Sequence, residues 1–476
     1  MSLLCRFGRL LAFALPFLVV CPPLLASTAA QGAVHFDLVG TWVSWAVLLV
    51  FVVAYVFVVI EEKLHLSKSK PVLLGAGIIW LLISGYLAAA GGFPDDAARH
   101  AFEAVFLEFT QLFFFLIVAM TFVSAMTERN VFESLRAELV SHGLSFRSLF
   151  WLTGVISFFL SAVLDNLTTA LIMSAVILAC AAGNTRFITL AFINLVVAAN
   201  AGGAWSAFGD ITTLMVWQAH KVEFAEFFRI FVPSVVNFLV PAAIMHFAVP
   251  VATPPAARDD ADLKPGAIGV CVLFAITIAI TVAGKQFLQM PTVFGMMFGL
   301  GLLSVYAYRI KRHEAKSDVD SAFNIFRIIA KAEWDTLLFF FGVVMCVGGL
   351  KAVGLLALAS DQLYAGWGHT WANIAMGTLS AVVDNIPIMY AVLQMSPPLD
   401  HGQWLLITLT AGVGGSMLSV GSAAGVALMG VSRGHYTFLG HLRWSWAVAL
   451  GYILSIATHL WWNAAHFTNG IGHVGP

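Results

Sequence analysis

The chain of 476 residues is strongly apolar, since 60% of its residues are hydrophobic, 10% are charged and the mean hydropathy is +0.91. This composition excludes an ordinary water-soluble domain and is typical of a polytopic integral membrane protein in a lipid bilayer. With 24 basic and 25 acidic residues, the formal net charge of −1 gives no basis for nucleic-acid binding. The five cysteines lack metal-ligand spacing, so we expect no disulfide framework, structural metal or cofactor.

The N-terminal segment, residues 1–31, has the pattern of a secretory signal peptide. Arg6 and Arg9 precede an apolar run from Leu10 to Leu25 and a short stretch of small and polar residues. The same pattern is compatible with an uncleaved membrane anchor. In both cases the basic residues hold the extreme N-terminus in the cytoplasm, so the next segment starts outside.

Apolar stretches of about 20 residues predict the membrane-spanning helices. They form two sets, and we expect a first transport repeat at 41–250, a linker loop at 251–265, a second repeat at 266–463 and an external tail at 464–476. Basic residues concentrate in the loops that this threading places in the cytoplasm. The predicted spans are 41–60, 72–90, 103–126, 187–219, 228–249, 266–284, 291–308, 334–356, 402–430 and 440–462.

Two further apolar stretches do not fit as ordinary spans, and both carry the motif Ser-Ala-Val-x-Asp-Asn, at 161–166 and at 380–385. An ionised aspartate at mid-bilayer costs roughly 2.5 to 3.5 kcal/mol on insertion scales, which makes a purely passive role hard to explain. The arms that flank each motif are too short to cross a hydrocarbon core of ~30 Å. We therefore predict a re-entrant hairpin in each repeat, with its tip at the Asp-Asn pair.

A glycine-rich interruption of an apolar span follows each hairpin, at 200–213 and at 412–425. Aligning Gly202-Gly203 on Gly414-Gly415 also superposes Asp210 on Ser422. Matched interruptions in two halves are a sequence sign of a transporter site made from broken helices. Five spans in the first half place the second half in the opposite orientation. The predicted fold is an all-α polytopic membrane protein with two inverted repeats, each containing about five spanning helices, a re-entrant hairpin and a broken helix.

These elements would gather a set of oxygen-bearing side chains without Lys, Arg or Cys: Asp165, Asn166, Asn200, Asp210, Thr212, Thr213, Asp384, Asn385, Ser416, Ser419 and Ser422. Hard cations prefer carboxylate, carbonyl and hydroxyl oxygens, although hydroxyls and helix ends alone are able to hold an anion. Burial and neighbouring negative charge favour a protonated carboxyl group, so the three aspartates are candidates to hold either a metal cation or a proton. Such competition is sufficient for cation/proton exchange if the site opens to one side at a time.

The same residues also have purely structural interpretations. Asp165 and Asp384 are able to cap the helical arm that follows each tip. Asp210 is able to begin a helix in the same way. For Ser416, close packing of small residues on one helix face is the favoured interpretation.

The Asp-Asn hairpins and the stretches NAGGAWSAFGDITTLMVWQ and GVGGSMLSVGSAAGVALMG resemble NhaD-type sodium/proton antiporters of the ion transporter superfamily. The resemblance covers about Trp42 to Trp462. It implies a bacterial inner-membrane antiporter that exchanges Na⁺, and also Li⁺, for H⁺, and it suggests a homodimer. The functional positions that it implies are Ser161, Asp165, Asn166, Asn200, Asp210, Thr212, Thr213, Asp384, Asn385, Ser416, Ser419 and Ser422. Further supporting residues are expected from the matched motifs of the two halves: Ser380, Gly202, Gly203, Gly414 and Gly415.

Two more residues are candidates for a pH response. His220 follows the matching Val-Trp-Gln stretch, and Glu108 lies in the third predicted span. A solvated external loop is the favoured interpretation for His220, and a charge near a helix end accounts equally well for Glu108.

Two other functions are compatible with parts of the pattern. An arsenite, dicarboxylate or other anion carrier on the same scaffold is one, because a fold does not determine a substrate. Citrate-type carriers resemble each other in Ser-Asn-Thr tips, whereas this chain has Asp-Asn. An intramembrane aspartyl protease with a shared-proton dyad is the other. It is disfavoured because the residues before Asp210 lack the first glycine of the Gly-x-Gly-Asp pattern.

Overall fold

The computed structural model describes residues 36–59, 66–90, 94, 96–141, 143–181, 183–253, 262–314, 323–432 and 434–468. The signal-peptide-like segment 1–31 lies outside these ranges, as do residues 254–261 of the predicted linker and 469–476 of the predicted tail. The predicted division of the chain at these segments stays a prediction.

Every regular element in the described ranges is helical. The helices of the first half are α1 (Trp42–Val59), α2 (Ser69–Ala90), α3 (Ala97–Glu128), α4 (Val131–Ser141), α5 (Phe146–Ser161), α6 (Asn166–Cys180), α7 (Thr185–Ala204), α8 (Ile211–Gln218) and α9 (Phe231–His246). A short 3₁₀ helix, Phe224–Ile230, leads into α9.

The second half contains α10 (Ala267–Leu288), α11 (Thr292–Glu314), α12 (Ile325–Ala330), α13 (Trp334–Ala352), α14 (Leu355–Ser360), α15 (His369–Leu379), α16 (Asn385–Met395), α17 (His401–Gly414), α18 (Ala423–Val431), α19 (Phe438–Leu442) and α20 (Ser445–Trp462). A π-helical turn, Asp361–Ala365, follows α14, and a 3₁₀ turn, Ala464–His466, follows α20.

The expected all-α polytopic membrane fold is confirmed. Seven helical segments of the described residues are long and apolar enough to cross a membrane. Each predicted span coincides with helical structure, and the two spans that carry the glycine-rich interruptions are divided, one into α7 and α8 and the other into α17 and α18. The inverted orientation of the repeats and the re-entrant path of the hairpins stay predictions.

One compact unit contains the described residues up to 125 together with 269–362 and 390–396. Its centre is α13, which packs against α2 and α1. The indole nitrogen of Trp80 in α2 donates a hydrogen bond to the Met345 carbonyl in α13 at 3.0 Å. Ser69 at the start of α2 donates to the carboxylate of Asp335 in the first turn of α13.

The second compact unit contains residues 126–268, 363–389 and the described residues from 397 onwards. Its core is formed by α7 and α17, both of which are buried along most of their length. The helix α7 packs against α5, α6, α9 and α17, and α17 packs against α15. Both Asp-Asn motifs and both interrupted spans lie in this unit, so it contains the predicted site.

Glycines allow the backbones around the two interruptions to approach very closely. A Cβ atom on Gly202 in α7 would lie 2.1 Å from the Phe158 carbonyl oxygen in α5. At the matching place in the second half, a Cβ atom on Gly414 in α17 would lie 2.0 Å from the Gly377 carbonyl oxygen in α15. No side chain fits at either position, which explains in physical terms why glycine occurs in both halves.

Replacement of Gly202 by alanine should strongly destabilise the protein, because α5 and α7 would have to separate to admit the methyl group. Overpacking of this kind costs about 1–3 kcal/mol. The thermal-unfolding midpoint of the purified variant in detergent should therefore fall. Gly77→Ala is the matched control, because Gly77 also lies within a helix and a Cβ atom there meets nothing within 4 Å. An equal midpoint for the two variants would contradict the close approach.

Candidate functional site

Each Asp-Asn motif lies at a turn between two helices. The first turn joins α5 to α6, and the second joins α15 to α16, with Asn166 and Asn385 as the first residues of the helices that follow. Serines just before the turns bind them to the core in the same way. Ser161 Oγ donates to the Ala199 carbonyl in α7 at 2.6 Å, and Ser380 Oγ donates to the Ala411 carbonyl in α17 at 2.9 Å.

Both interrupted spans have a non-helical segment between two helices, at 205–210 and at 415–422. The segments resemble each other in backbone geometry. Asp210 precedes α8 with φ −149° and ψ 153°, and Ser422 precedes α18 with φ −142° and ψ 150°. Cβ atoms on Gly203 and Gly415 would each lie 2.6 Å from a carbonyl oxygen, that of Gly209 and that of Gly421. The alignment of the two repeats in the sequence therefore corresponds to a real likeness of structure.

The Asp210 carboxylate is the centre of the site. Its Oδ2 atom accepts hydrogen bonds from Asn166 Nδ2 at 2.9 Å and from Asn385 Nδ2 at 2.8 Å. Its Oδ1 atom accepts from the Thr212 backbone N–H at 3.1 Å and so caps α8. Asp210 is 3% exposed. The two Asp-Asn motifs, which are far apart in the chain, therefore meet at one buried carboxylate oxygen.

Asn200 in α7 extends this network into the second half. Its Oδ1 atom accepts from Asn166 Nδ2 at 2.9 Å. Its Nδ2 atom donates to the hydroxyls of Ser416 at 2.8 Å and Ser422 at 3.1 Å. Ser416 therefore forms a hydrogen bond in the site, where the sequence favoured simple close packing.

Asp165 caps α6, as its structural interpretation predicted. Its Oδ1 atom accepts from the Thr168 backbone N–H at 2.8 Å, and its Oδ2 atom accepts from the Thr168 hydroxyl at 2.6 Å. Asp384 lies at the matching place, immediately before α16, and both aspartates are partly exposed. Their carboxylates are close enough to repel that of Asp210. Asp165 is therefore able to cap α6 and also to contribute negative charge to the site.

Several hydroxyl oxygens among the described residues are buried without a hydrogen-bond partner. Three of these oxygens belong to Thr212, Ser419 and Thr169. A buried hydroxyl without a partner carries a desolvation cost, which a bound cation would relieve by accepting the oxygen as a ligand. Thr213 makes local bonds instead, since its hydroxyl donates to the Asp210 carbonyl at 2.8 Å.

The chemistry of this site suits a hard cation. Carboxylate, amide carbonyl and hydroxyl oxygens are the ligands that such ions prefer. Among the described residues, the hydrogen bonds of Asp210, Asn166, Asn385 and Asn200 involve no basic side chain. The site therefore presents negative charge and oxygen atoms in a buried position.

Two predicted residues lie elsewhere. His220 is in an exposed turn after α8 with a left-handed backbone, at φ 54°. Glu108 belongs to the other compact unit, where its Oε2 atom accepts from Tyr390 Oη at 2.9 Å and from Gln394 Nε2 at 2.8 Å. Neither placement tests a pH response, which stays a prediction for both residues.

Thr169 and His441 were not among the site residues predicted from the sequence. Thr169 follows Asp165-Asn166 within the first turn of α6, so its position beside the motif was an available signal. His441 donates to the Ser416 carbonyl at 3.0 Å from α19. The signal for His441 was weak, because a single histidine in an apolar stretch usually satisfies only local hydrogen bonds.

Comparison with known proteins identifies a matching family and several relatives. A family profile described as a citrate transporter matches residues 9–412. The Na⁺/H⁺ antiporter NhaD of Alkalimonas amylolytica is 51% identical over 94% of this chain and 96% of its own length. NhaD of Halomonas elongata is 50% identical over 97% of this chain and 96% of its own length. Sodium/proton antiporter 1 of Arabidopsis thaliana is 30% identical over 93% of this chain and 77% of its own length.

The membrane-spanning helices and the buried polar site between broken helices, together with the family match, define a membrane transporter and not an enzyme. Within the citrate-transporter family, the chain belongs to the NhaD-type sodium/proton antiporters. The resemblance seen in the Asp-Asn hairpins and glycine-rich stretches is thereby confirmed.

The shared carboxylate oxygen predicts energetic coupling between Asn385 and Asp210. Asn385→Ala should lower the thermal-unfolding midpoint, because it removes a donor to a buried charge, and such hydrogen bonds contribute about 1.5–3 kcal/mol. The decrease in midpoint caused by Asn385→Ala should be smaller when Asp210 is replaced by asparagine, because the acceptor is then neutral. Asn194→Ala is the control, since Asn194 is also buried in this unit but donates to the Phe150 carbonyl. Additive effects for Asn385 and Asp210 would contradict the network.

Proposed function

We propose that this protein exchanges Na⁺, and also Li⁺, for H⁺ across a bacterial inner membrane. The observation that carries the proposal is the convergence of Asn166 and Asn385, one from each Asp-Asn motif, on the buried Asp210 carboxylate. Two relatives that are about half identical to this chain are named Na⁺/H⁺ antiporters, which supports the same pair of ions. The family likeness also suggests a homodimer, which we include in the proposal.

Competition between a cation and a proton follows from the charges at the site. The ionised Asp210 carboxylate is stabilised by two amide donors, but Asp165 and Asp384 add negative charge close by. Either a proton on a carboxylate or a cation among the oxygen atoms would reduce this repulsion. Binding of one lowers the affinity for the other, because both neutralise the same group.

The hydroxyl groups and amides supply further ligands for the cation. Thr212 and Ser419 have buried oxygen atoms without hydrogen-bond partners among the described residues. The Asn166 and Asn385 amides are able to rotate and present carbonyl oxygens when a cation replaces their present bonds. An ion entering the site would therefore exchange its water ligands for protein oxygens.

Alternating access would complete the exchange cycle, with the site opening first to one side of the membrane and then to the other. Support comes from the likeness of the two interruptions, including the closely similar backbone angles of Asp210 and Ser422. We propose that the two halves are inverted repeats and that the turns between α5 and α6 and between α15 and α16 are the tips of re-entrant hairpins.

Citrate or another anion suits this site less well. The Asp210 carboxylate interacts electrostatically with two others, those of Asp165 and Asp384, and these three negative charges would repel an anionic substrate. The polar bonds described for Asp210 and the three asparagines involve only amide, hydroxyl, backbone and carboxylate groups. We therefore place the function with the cation antiporters within the family.

Asp210→Asn should abolish Na⁺-dependent dissipation of an imposed pH gradient, because the neutral amide binds neither Na⁺ nor a proton with comparable strength. Proton flux should be followed with a pH-sensitive dye in proteoliposomes, with NaCl or LiCl added against choline chloride. Asp400→Asn is the matched control. Asp400 also caps a helix of this unit, accepting from the Gln403 N–H at 2.9 Å, and it lies outside the site network.

Gradient collapse in Asp210→Asn liposomes at the wild-type rate would overturn the role of Asp210. A wild-type protein that dissipates no gradient with either cation would overturn the proposed function itself.

The variant Asp165→Asn distinguishes the helix-capping role of Asp165 from the role of its negative charge. Asparagine is as good a helix cap as aspartate, so the thermal-unfolding midpoint should stay within a few degrees of the wild-type value. Exchange should nevertheless be lost, because the variant lacks one of the charges that attract the cation. Asp384→Asn should have the same effect at the matching position. Wild-type exchange in both variants would overturn the contribution of the two charges and leave helix capping as the role of Asp165.

A further inference from the structure

Two successive carbonyl groups of the second interruption are held by side chains from α19 and α20. The helix α17 ends at Gly414, so the Ser416 and Met417 carbonyls lie beyond its last turn. His441 Nε2 contacts the Ser416 carbonyl oxygen at 3.0 Å, and Ser445 Oγ donates to the Met417 carbonyl oxygen at 2.7 Å. His441 and Ser445 are four residues apart and clamp this part of the interruption together.

The hydrogen bonds of His441 define its tautomer. A carbonyl oxygen only accepts, so the hydrogen of a neutral ring must lie on Nε2. Nδ1 is then an acceptor, and the Tyr436 hydroxyl lies 2.6 Å from it and donates. The side chains of His441 and Tyr436 are both almost completely buried. Tyr436 therefore keeps the ring in the form that donates to Ser416.

Ser416 connects this histidine to the proposed cation site. The Ser416 hydroxyl accepts from Asn200 Nδ2, which leaves Asn200 Oδ1 facing the Asn166 amide. An asparagine side chain is able to rotate by a half turn and exchange its donor and acceptor ends. Such a rotation would bring Asn200 Nδ2 against the Asn166 Nδ2 donor, so Asn166 determines which end of the Asn200 amide faces it. The Ser416 and Ser422 hydroxyls bind the other end, and they keep the Asn200 side chain within reach of Asn166 only if they stay in place.

We propose that His441 is a positioning residue for cation binding: by holding the Ser416 carbonyl, it keeps Asn200 oriented toward Asn166 and Asp210. This inference rests on the proposed function of the site. His441 itself touches no member of the carboxylate network and acts through Ser416.

The first interruption is supported by a different type of contact from the one that His441 makes with the second. Trp205, the first residue after α7, packs its ring against Phe231 at 5.1 Å and Phe228 at 5.8 Å between centroids. Aromatic packing therefore supports the first interruption, whereas directed hydrogen bonds support the second. A hydrogen bond depends on one donor, and its removal should release Ser416 without unfolding the unit.

The chain offers a matched control in His459. This residue is also completely buried. Its Nε2 atom contacts a backbone carbonyl oxygen, that of Gly402 in α17, at 3.1 Å. Its Nδ1 atom accepts from Asn463 Nδ2 at 3.0 Å. His459 thus makes the same type of contact in the first turn of α17, at Gly402, which lies 14 positions before Ser416 in the chain. A purely structural role predicts equal consequences for the two histidines.

The experiment compares His441→Leu, His441→Gln and His459→Leu in proteoliposomes, with the Na⁺ concentration for half-maximal proton flux as the main readout. His441→Leu should raise that concentration about tenfold, which corresponds to about 1.4 kcal/mol, with the maximal rate within about twofold of wild type. His441→Gln should restore the wild-type concentration, because the glutamine amide supplies a donor in place of Nε2. His459→Leu should lower the thermal-unfolding midpoint and leave the half-maximal concentration unchanged.

Equal half-maximal concentrations for His441→Leu and wild type would overturn the positioning role, as would a parallel shift in His459→Leu. A failure of glutamine to restore the concentration, with a normal thermal-unfolding midpoint, would also overturn it, because the donor would then not be the cause.

The test remains decisive if wild-type protein shows no exchange, which would be the failure of the proposed function. The thermal-unfolding midpoints of His441→Leu, Asn200→Ala and the double variant then measure whether the two residues are coupled. Non-additive shifts would support the connection through Ser416, and additive shifts would overturn it. The pair His459→Leu and Asn200→Ala should be additive.

Discussion

The structure of the site depends on one buried carboxylate that accepts hydrogen bonds from two asparagines in different halves of the chain. Burial of a charge is costly unless it is hydrogen-bonded, so the Asp210 carboxylate requires the amides of Asn166 and Asn385 beside it. These amides are available only when both Asp-Asn turns reach the same point of the core. The positions of the turns, of α7 and of α17 are all constrained by this requirement.

Glycine makes the convergence sterically possible. The backbone of α5 approaches Gly202, and that of α15 approaches Gly414, at distances that exclude any Cβ atom. Ser161 and Ser380 then bind each turn to a carbonyl of the adjacent core helix. The polar residues of the site are therefore positioned by contacts between backbones, which vary less than contacts between long side chains.

The two interruptions have similar backbone angles at Asp210 and Ser422 but differ in charge at these positions, and this difference suits ion exchange. Asp210 in the first half corresponds to Ser422 in the second, which accepts from Asn200 instead of presenting a carboxylate. Because Asp210 is the one central carboxylate, with two further aspartates nearby, binding of a single cation or proton changes the net charge of the site. The proposed role of His441 belongs to the same asymmetry, because this buried histidine binds the second interruption, whereas aromatic packing of Trp205 supports the first.

The sequence by itself determined the membrane class, the helical spans, the duplicated Asp-Asn motif and the family. These features are local or repetitive: apolar length defines a span, and a glycine pair with a following polar residue defines an interruption. It also predicted a gathering of oxygen-bearing side chains, including Asn200 and Asp210. The tertiary structure alone decided that Asn166 and Asn385 share one oxygen of Asp210, that Asp165 caps α6, and that His441 reaches Ser416. Hydrogen bonds between residues distant in the chain depend on side-chain direction and on the packing of several helices, and neither is encoded by composition or spacing along one segment.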